Sequence, residues 1–190
     1  VNVELGLLDP RLGKAIVSAA DEILAGQLMD QFVVDPFQAG AGTSHHMNMN
    51  EVLANRANEI LGGKLGTYTP VHPNDHVNLG QSTNDTFPTA MRLSILLRHP
   101  ELETRLKETA DAFNAKGDEF EDIETAGRTH LQDATPITLG QVMRGYGGMI
   151  ARALYTLHEA TEPLLELGIG GTAVGTGVNR HLEYPRLVCE

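Results

Sequence analysis

The stretch Val142-Met-Arg-Gly-Tyr-Gly-Gly-Met-Ile-Ala-Arg-Ala-Leu-Tyr-Thr-Leu157 decides the fold class. Its apolar residues Val142, Met143, Tyr146, Met149, Ile150, Ala153, Leu154 and Leu157 return every three or four positions. That period places them on one face of an α-helix. The same period runs through Leu102, Leu106, Ala110, Phe113 and Phe120 in residues 101–121, and through Ile16, Ala19, Ala20, Ile23 and Leu24. No turn dipeptide lies between two alternating runs, so strand signals are poor. The fold class is mostly α, and long helices with apolar stripes imply a bundle.

Breaks between helices are set by local chemistry. Asp9-Pro10 reads as an N-cap followed by proline at the first helical position, where its missing N–H is harmless. Residues 31–42 form a loop, and Thr43 or Ser44 is expected to cap the next helix. That helix runs through Met47, Leu53, Ala54, Ala57, Ile60 and Leu61, and Gly62-Gly63 ends it through a left-handed glycine. Residues 64–80 carry Pro70 and Pro73 and are expected to be irregular. Asn84 or Asp85 is expected to cap another helix, with Pro88 in its first turn. Residues 126–136 are expected to be a loop, and Pro163 should bend or break the helix that follows.

Composition excludes several function classes. The 190 residues carry 14 basic and 25 acidic side chains, a net charge of −11, with no Lys/Arg cluster. Such a chain repels phosphate backbones, so nucleic acid is not an expected partner. One cysteine, Cys189, cannot form a disulfide framework or a Cys-based zinc site within the chain, and fits a reducing cytoplasm. No apolar run approaches the ~20 residues of a membrane span. Val1-Asn2-Val3-Glu4 resembles neither a signal peptide nor a natural initiation, and residues 186–190 read as a helix start, so the chain reads as a fragment.

Two motifs invite a cofactor reading that their context opposes. Gly168-Ile-Gly170-Gly-Thr-Ala173 matches the form of a dinucleotide fingerprint, which needs a strand before it, whereas a long helix precedes it here. A helix-to-helix turn is the simpler reading. His45-His46 and His72/Asp75/His76 offer imidazoles, but adjacent helical residues point apart and the second group lies in a loop. No metal is expected.

Three polar segments carry more weight: Gly40-Ala-Gly-Thr43-Ser44, Gln81-Ser82-Thr83-Asn84-Asp85 and Gly127-Arg-Thr129-His130. Each sets hydroxyls, an amide or an imidazole at or before a helix start. Free backbone N–H groups and the positive dipole end there suit a small anion. Ser, Thr and Asn at such places are also ordinary caps. Asn48 and Asn50 are unusual inside a helix, so one of them is expected to face a polar site.

At these segments the chain resembles the fumarase/aspartase superfamily. The matching stretches are Phe37-Gln-Ala-Gly-Ala-Gly-Thr-Ser44, Met47-Asn-Met-Asn-Glu-Val-Leu-Ala-Asn55, His72-Pro-Asn-Asp75, Gln81-Ser-Thr-Asn-Asp85, Gly127-Arg-Thr-His-Leu-Gln-Asp133 and Gly170-Gly-Thr-Ala-Val-Gly-Thr-Gly177. The resemblance implies a truncated long-helix bundle. Residues 1–80 would be the last part of a small N-terminal domain and residues 81–190 the first part of the central helical domain. It also implies a homotetramer whose active sites draw on three subunits, a small dicarboxylate substrate, and no cofactor.

By the same resemblance, Thr43 binds a substrate carboxylate. Ser82, Thr83 and Asn84 grip the carboxylate beside the departing proton, and Thr129 and His130 supply the third contribution. His72, Asn74 and Asp75 resemble a second anion site, although Thr69 stands where that site has a basic residue. The family's general base is a serine on a Gly-Ser-Ser-x-Met-Pro-x-Lys-x-Asn loop, which does not occur in these 190 residues. This chain alone is therefore expected to be inactive. Ala41 and Thr83 resemble aspartases, whereas Met47-Asn-Met-Asn50 and Ala134-Thr-Pro136 resemble fumarases. The first pair lies at the substrate, so L-aspartate is the expected substrate, with fumarase as the alternative. An inactive lyase-fold or assembly protein is the second alternative.

Overall fold

The computed structural model describes residues 1–37 and 40–190. Gln38 and Ala39, which belong to the expected 31–42 loop and to the Phe37–Ser44 motif, lie outside the described residues. The elements are α1 (Pro10–Leu24), α2 (Thr43–Ile60), α3 (Thr83–Glu119), β1 (Glu124–Thr129), β2 (Gln132–Thr138), α4 (Leu139–Glu159) and α5 (Tyr184–Val188). The chain divides into two compact units, residues 1–91 with 167–190, and residues 92–166. No helix among the described residues is long and apolar enough to cross a membrane.

In the first unit α1 begins as its sequence dictates. The Asp9 side chain accepts from Arg11 N–H at 2.7 Å, and Pro10 occupies the first helical position. Small residues let α1 approach α2: Ala15, Ala54, Ala57 and Val71 form the buried core, flanked by Leu12, Ile16, Leu61 and Val77. The Arg56 guanidinium on α2 grips the Glu22 carboxylate on α1 with Nε at 2.6 Å and Nη2 at 2.9 Å. Helix α2 ends as expected. Gly62 takes φ +79°, its N–H donates to the Glu59 carbonyl, and Gly63 N–H donates to Asn58 at 2.7 Å. That is the double bond pattern of a glycine-terminated helix.

Beyond this stop the chain returns along α2. The fully buried Asn58 side chain donates to the Val71 carbonyl and accepts from the Val71 N–H, standing in for a missing strand partner. Asn48 acts similarly, accepting from Val33 N–H and donating to the Gln31 carbonyl. Asn48 is therefore a loop clamp. Asn50, 3% exposed, donates to the Met47 sulfur at 3.7 Å.

Three expected boundaries change. The cap of α2 is Gly42, at φ +85° with no side-chain bond, so neither Thr43 nor Ser44 caps it. The cap of α3 is Ser82, whose Oγ accepts from Asn84 N–H while Ser82 N–H donates to the Asp85 carboxylate. This reciprocal arrangement displaces Asn84 and Asp85 from the cap. Helix α3 then runs for 37 residues. Pro88 is its sixth residue and so sits beyond the first turn, and Pro100 lies in its middle. A proline removes one donor and crowds one carbonyl; the ladder on either side continues, which joins the two helices expected around residue 100.

In the second unit the expected 126–136 loop is a hairpin. Strands β1 and β2 pair antiparallel, Glu124 with Thr138 through Thr129 with Gln132, with a bulge between Ala126 and Arg128. Its two turn residues, His130 and Leu131, both have left-handed backbones, at φ 44° and 64°. Asn-Gly is the usual choice for such a turn, so its absence hid the hairpin. Helix α4 opens on Thr138, whose Oγ1 accepts from Gln141 N–H while the Gln141 side chain accepts from Thr138 N–H. It ends before Pro163, as expected.

Glycines set the approach of α4 to the end of α3. A Cβ on Gly140 would collide with the Gly117 carbonyl and would lie 2.9 Å from Glu121 Cα. One on Gly145 would meet nothing within 4 Å. Gly140→Ala is expected to lower the stability of this chain by about 1–3 kcal/mol through overpacking. Gly145→Ala should raise it by about 0.5–1 kcal/mol by relieving glycine's helix penalty. Urea unfolding of the two variants checks the opposite signs; two shifts in the same direction would refute the packing argument.

Candidate active site

The site is built where α2 and α3 begin. Asp85, only 3% exposed, is its anchor. Its Oδ2 accepts from the N–H groups of Gly170 at 3.0 Å and Thr172 at 2.8 Å. Its Oδ1 accepts from Ser82 N–H at 3.0 Å and from the Thr86 hydroxyl at 3.3 Å. A buried carboxylate is tolerable because such donors replace water. The neighbouring Asn84 amide donates to the Ala173 carbonyl at 2.6 Å. Together these bonds fasten the glycine-rich loop to the first turn of α3.

That arrangement settles the reading of residues 168–173. The segment follows α4 and a short 3-10 turn at Glu162–Leu165, with no strand before it. The Gly170 and Thr172 amides, which a dinucleotide site would aim at phosphate, are engaged by Asp85. Gly170 is required here twice over: it takes φ +85°, and a Cβ would lie 3.1 Å from that of Pro185.

Two side-chain links bring the first turns of α2 and α3 together. His46 Nδ1 and Thr83 Oγ1 are 2.7 Å apart. The rings of His45 and Phe87 stack with centroids 6.0 Å apart. A Cβ on Gly42 would run into the Phe87 ring, so only glycine fits the cap of α2. A pocket of about 160 Å³ opens here, lined by Pro36, Gly40, Gly42, Thr43, Ser44, His45 and Phe87. Thr43 and Asn84 are exposed, and Ser82 and Thr83 half-buried.

The amides at the start of α3 are less available than helix termini in general. Asn84 N–H is held by Ser82 Oγ, and the Asp85 and Thr86 N–H groups are held by the Ser82 carbonyl. The donors left over at this turn are the hydroxyl protons of Ser82 and Thr83 and the second amide proton of Asn84, beside the positive end of the helix dipole.

The other sequence candidates lie elsewhere. His72, Asn74 and Asp75 sit at a single π turn, Pro73–Val77. His72 Nδ1 accepts from both Asn74 and Asp75 N–H, and His76 Nδ1 accepts from His72 N–H. With its Nδ1 proton absent, His72 at 3.4 Å from the Asp75 carboxylate forms no ion pair through that atom. These side chains cap their own turn. Thr129 and His130 belong to the second unit, both exposed at the hairpin tip. The expected placement of this segment at a helix start is corrected: it lies at a turn between strands. Among the described residues no three His, Cys, Asp or Glu side chains group as metal ligands.

Two residues of this site were missed as functional candidates in the sequence, Asp85 and His46. Asp85 had a signal, since Ser-x-x-Asp is a capping-box spacing. His46 had none beyond being a histidine.

Long helices whose first turns gather neutral donors around a carboxylate-held glycine loop make up the candidate site. A family model described as lyase matches residues 1–190. The chain belongs to this family, the superfamily of class II fumarases and aspartate ammonia-lyases. It is 52% identical to a class II fumarate hydratase of Nitrosomonas europaea, over 99% of this chain and 41% of that protein. It is 48% identical to an aspartate ammonia-lyase of Bacillus sp, over 100% of this chain and 40% of that protein. The cobalt-bound crystal structure of a fumarate lyase:delta crystallin from Brucella melitensis superposes with a TM-score of 0.92 at 48% identity, over 97% of this chain and 40% of that one. The chain spans about two fifths of the length of the relatives it matches.

Burial holds the His46 imidazole below its ordinary value, against an opposing pull from the Asp85 carboxylate. The unfolded chain therefore protonates His46 at a higher pH than the folded one does. As pH falls below about 6.5, the ordinary imidazole value, unfolding takes up a proton and stability declines. The decline levels off below the folded value. His46→Asn should flatten this part of the pH dependence of the unfolding midpoint, and unchanged slopes in the variant would refute it.

Proposed function

We propose that the protein to which this chain belongs is a fumarate-releasing lyase whose substrate is L-aspartate. The observation that carries this reading is that one turn sets Thr83 against the first turn of α2 and Asn84 against the Asp85-anchored loop, with Ser82 as its cap. Removing a proton beside a carboxylate makes that group a doubly charged aci-carboxylate. Preorganised donors lower the barrier by meeting charge as it develops. Hydroxyls and amides supply them without holding the ground state too tightly.

In this reading Ser82, Thr83 and Asn84 receive the developing charge and Thr43 holds the other carboxylate. Thr129 and His130 complete the site from another copy of the chain in a homotetramer. A base takes the proton from the carbon beside the carboxylate. Its electron pair forms the new C=C bond, the C–N bond breaks, and ammonia leaves with a proton. The base is a serine of a loop that these 190 residues do not contain, so the 190-residue chain alone does not turn over. His72, Asn74 and Asp75 form at most a secondary anion site. Exposed Leu93, Ile95, Leu97 and Leu102 on α3, and Tyr146, Met149 and Tyr155 on α4, support assembly by apolar faces. Residues 1–80 then close the N-terminal domain and 81–190 open the helical one. A cytoplasmic location suits the acidic chain and its single cysteine.

The 52% identity to a class II fumarate hydratase favours a second reading, reversible hydration of fumarate to L-malate. Ala41 and Thr83 support aspartate over malate. Fumarate release by the whole protein, followed by ultraviolet absorbance, is expected with L-aspartate. Thr83→Ala and His130→Ala should each lower kcat/KM by about 100-fold or more, the scale of losing one oxyanion donor. Release from malate alone would replace the first reading with the second; release from neither would overturn both.

A further inference from the structure

His46 is a buried, titratable group that the proposed reaction leaves without a task. It lies one helical turn into α2, 7% exposed, and its two ring nitrogens differ sharply. Nδ1 is 2.7 Å from the Thr83 hydroxyl. Nε2 is buried and meets no hydrogen-bond partner among the described residues. Burial depresses its proton affinity, so the ring is neutral near pH 7 and carries one proton.

That proton has two possible seats, and they have opposite consequences for Thr83. With the proton on Nε2, a buried N–H is left without an acceptor, and Nδ1 must accept the Thr83 hydroxyl proton. With the proton on Nδ1, the N–H donates to Thr83 Oγ1 and the unpartnered atom is a bare lone pair. Orphaned buried donors are rarer than under-used acceptors. The second arrangement also leaves the Thr83 hydroxyl proton free to point at an incoming anion.

We infer that His46 is a positioning residue for Thr83: held as the Nδ1–H tautomer, it donates to Thr83 Oγ1 and turns the hydroxyl proton toward the substrate carboxylate. This inference rests on the lyase reading for the identity of the anion, and deepens it by assigning the direction of one hydrogen bond. His46 touches Thr83 and is not assigned to the substrate. The geometry needs a side chain with a donor about two bonds beyond Cβ. Histidine through Nδ1 and asparagine through Nδ2 both supply one; leucine fills similar space without it.

The rest of the turn supports the assignment. Thr83 opens α3, and its neighbours cannot set its rotamer: Ser82 caps Asn84, Asn84 holds the Ala173 carbonyl, and Asp85 holds the loop. Among the described residues, the Thr83 hydroxyl meets no side-chain hydrogen-bond partner other than His46. Stacking of His45 on Phe87 fixes the adjacent residue of α2, and so the height at which His46 meets α3.

Two measurements on the whole protein test this. Neutron diffraction from its crystals locates the ring proton without any substrate. Density on Nδ1 is expected, and density on Nε2 with Nδ1 bare would overturn the assignment. Succinate binding by calorimetry, with no turnover needed, reads the consequence. His46→Leu should weaken succinate about tenfold, the loss expected when a charge-assisted hydrogen bond is misdirected, while His46→Asn stays within about twofold. Equal weakening by both variants would mean a packing role only and would overturn the proposal, as would no weakening by either. In the wild type, an Nδ1 proton and succinate binding without fumarate release from aspartate or malate would sink the lyase reading and leave the hydrogen-bond assignment standing.

Discussion

The Asp85 carboxylate is the constraint on which the rest of the candidate site depends. It is buried, and it joins backbone 85 and 87 residues away to the turn in which it stands. Two of its four donors come from the glycine-rich loop and two from its own turn. The loop cannot be released without stranding a charge in the interior, which is costly however it is done. Ser82, Thr83 and Asn84 are the three residues before this anchor in sequence. Their backbone is therefore fixed by a bond made on the far side of the turn, while their side chains bond locally, Ser82 to Asn84 N–H, Thr83 to His46 and Asn84 to the Ala173 carbonyl. Rigidity of this kind is what donors to a developing charge require.

Around that anchor, small residues control distance. Gly42 lets the Phe87 ring close onto the cap of α2, and Gly170 lets Pro185 close onto the loop. Alanines do the same between α1 and α2, where Ala15, Ala54 and Ala57 pack in one buried cluster with Val71. A core of this size gives modest hydrophobic stabilisation for its length. Polar clamps such as Asn58 on Val71 and Arg56 on Glu22 supply order that bulk does not. The site is thus held more by hydrogen-bond geometry than by depth of burial.

Much of the helical frame was legible because its determinants are local. The apolar period of α4, the Asp9-Pro10 start and the Gly62-Gly63 stop each need only a few adjacent residues, and each stands in the structure as the sequence implies. The readings that failed needed distant partners. Pro88 read as a first-turn residue by local rules, yet α3 begins at Thr83 and carries both Pro88 and Pro100 inside it, because its remaining ladder outweighs two lost donors. Asn84 and Asp85 read as caps because their types cap well. The loop from residue 168 claims both of them instead, a fact invisible from residues 81–86 alone. His46 was dismissed with His45 as a ligand pair pointing apart; that divergence is what lets one ring stack on Phe87 while the other reaches Thr83.

The hairpin tip carries this contrast further. A two-residue turn with both backbones left-handed suits glycine and asparagine, and a side-chain Cβ there costs about 1–2 kcal/mol per residue. The chain uses His130 and Leu131 and leaves Leu131 91% exposed. Neither choice serves the stability of the ribbon, whose strands are polar and exposed on almost every residue. Local preference and observed structure disagree most at sites where something other than folding sets the residue. The imidazole at this strained tip and the imidazole buried beside Thr83 are the two places where sequence rules misread a histidine. One is held outward at the end of a rigid ribbon, and the other is held inward against a hydroxyl.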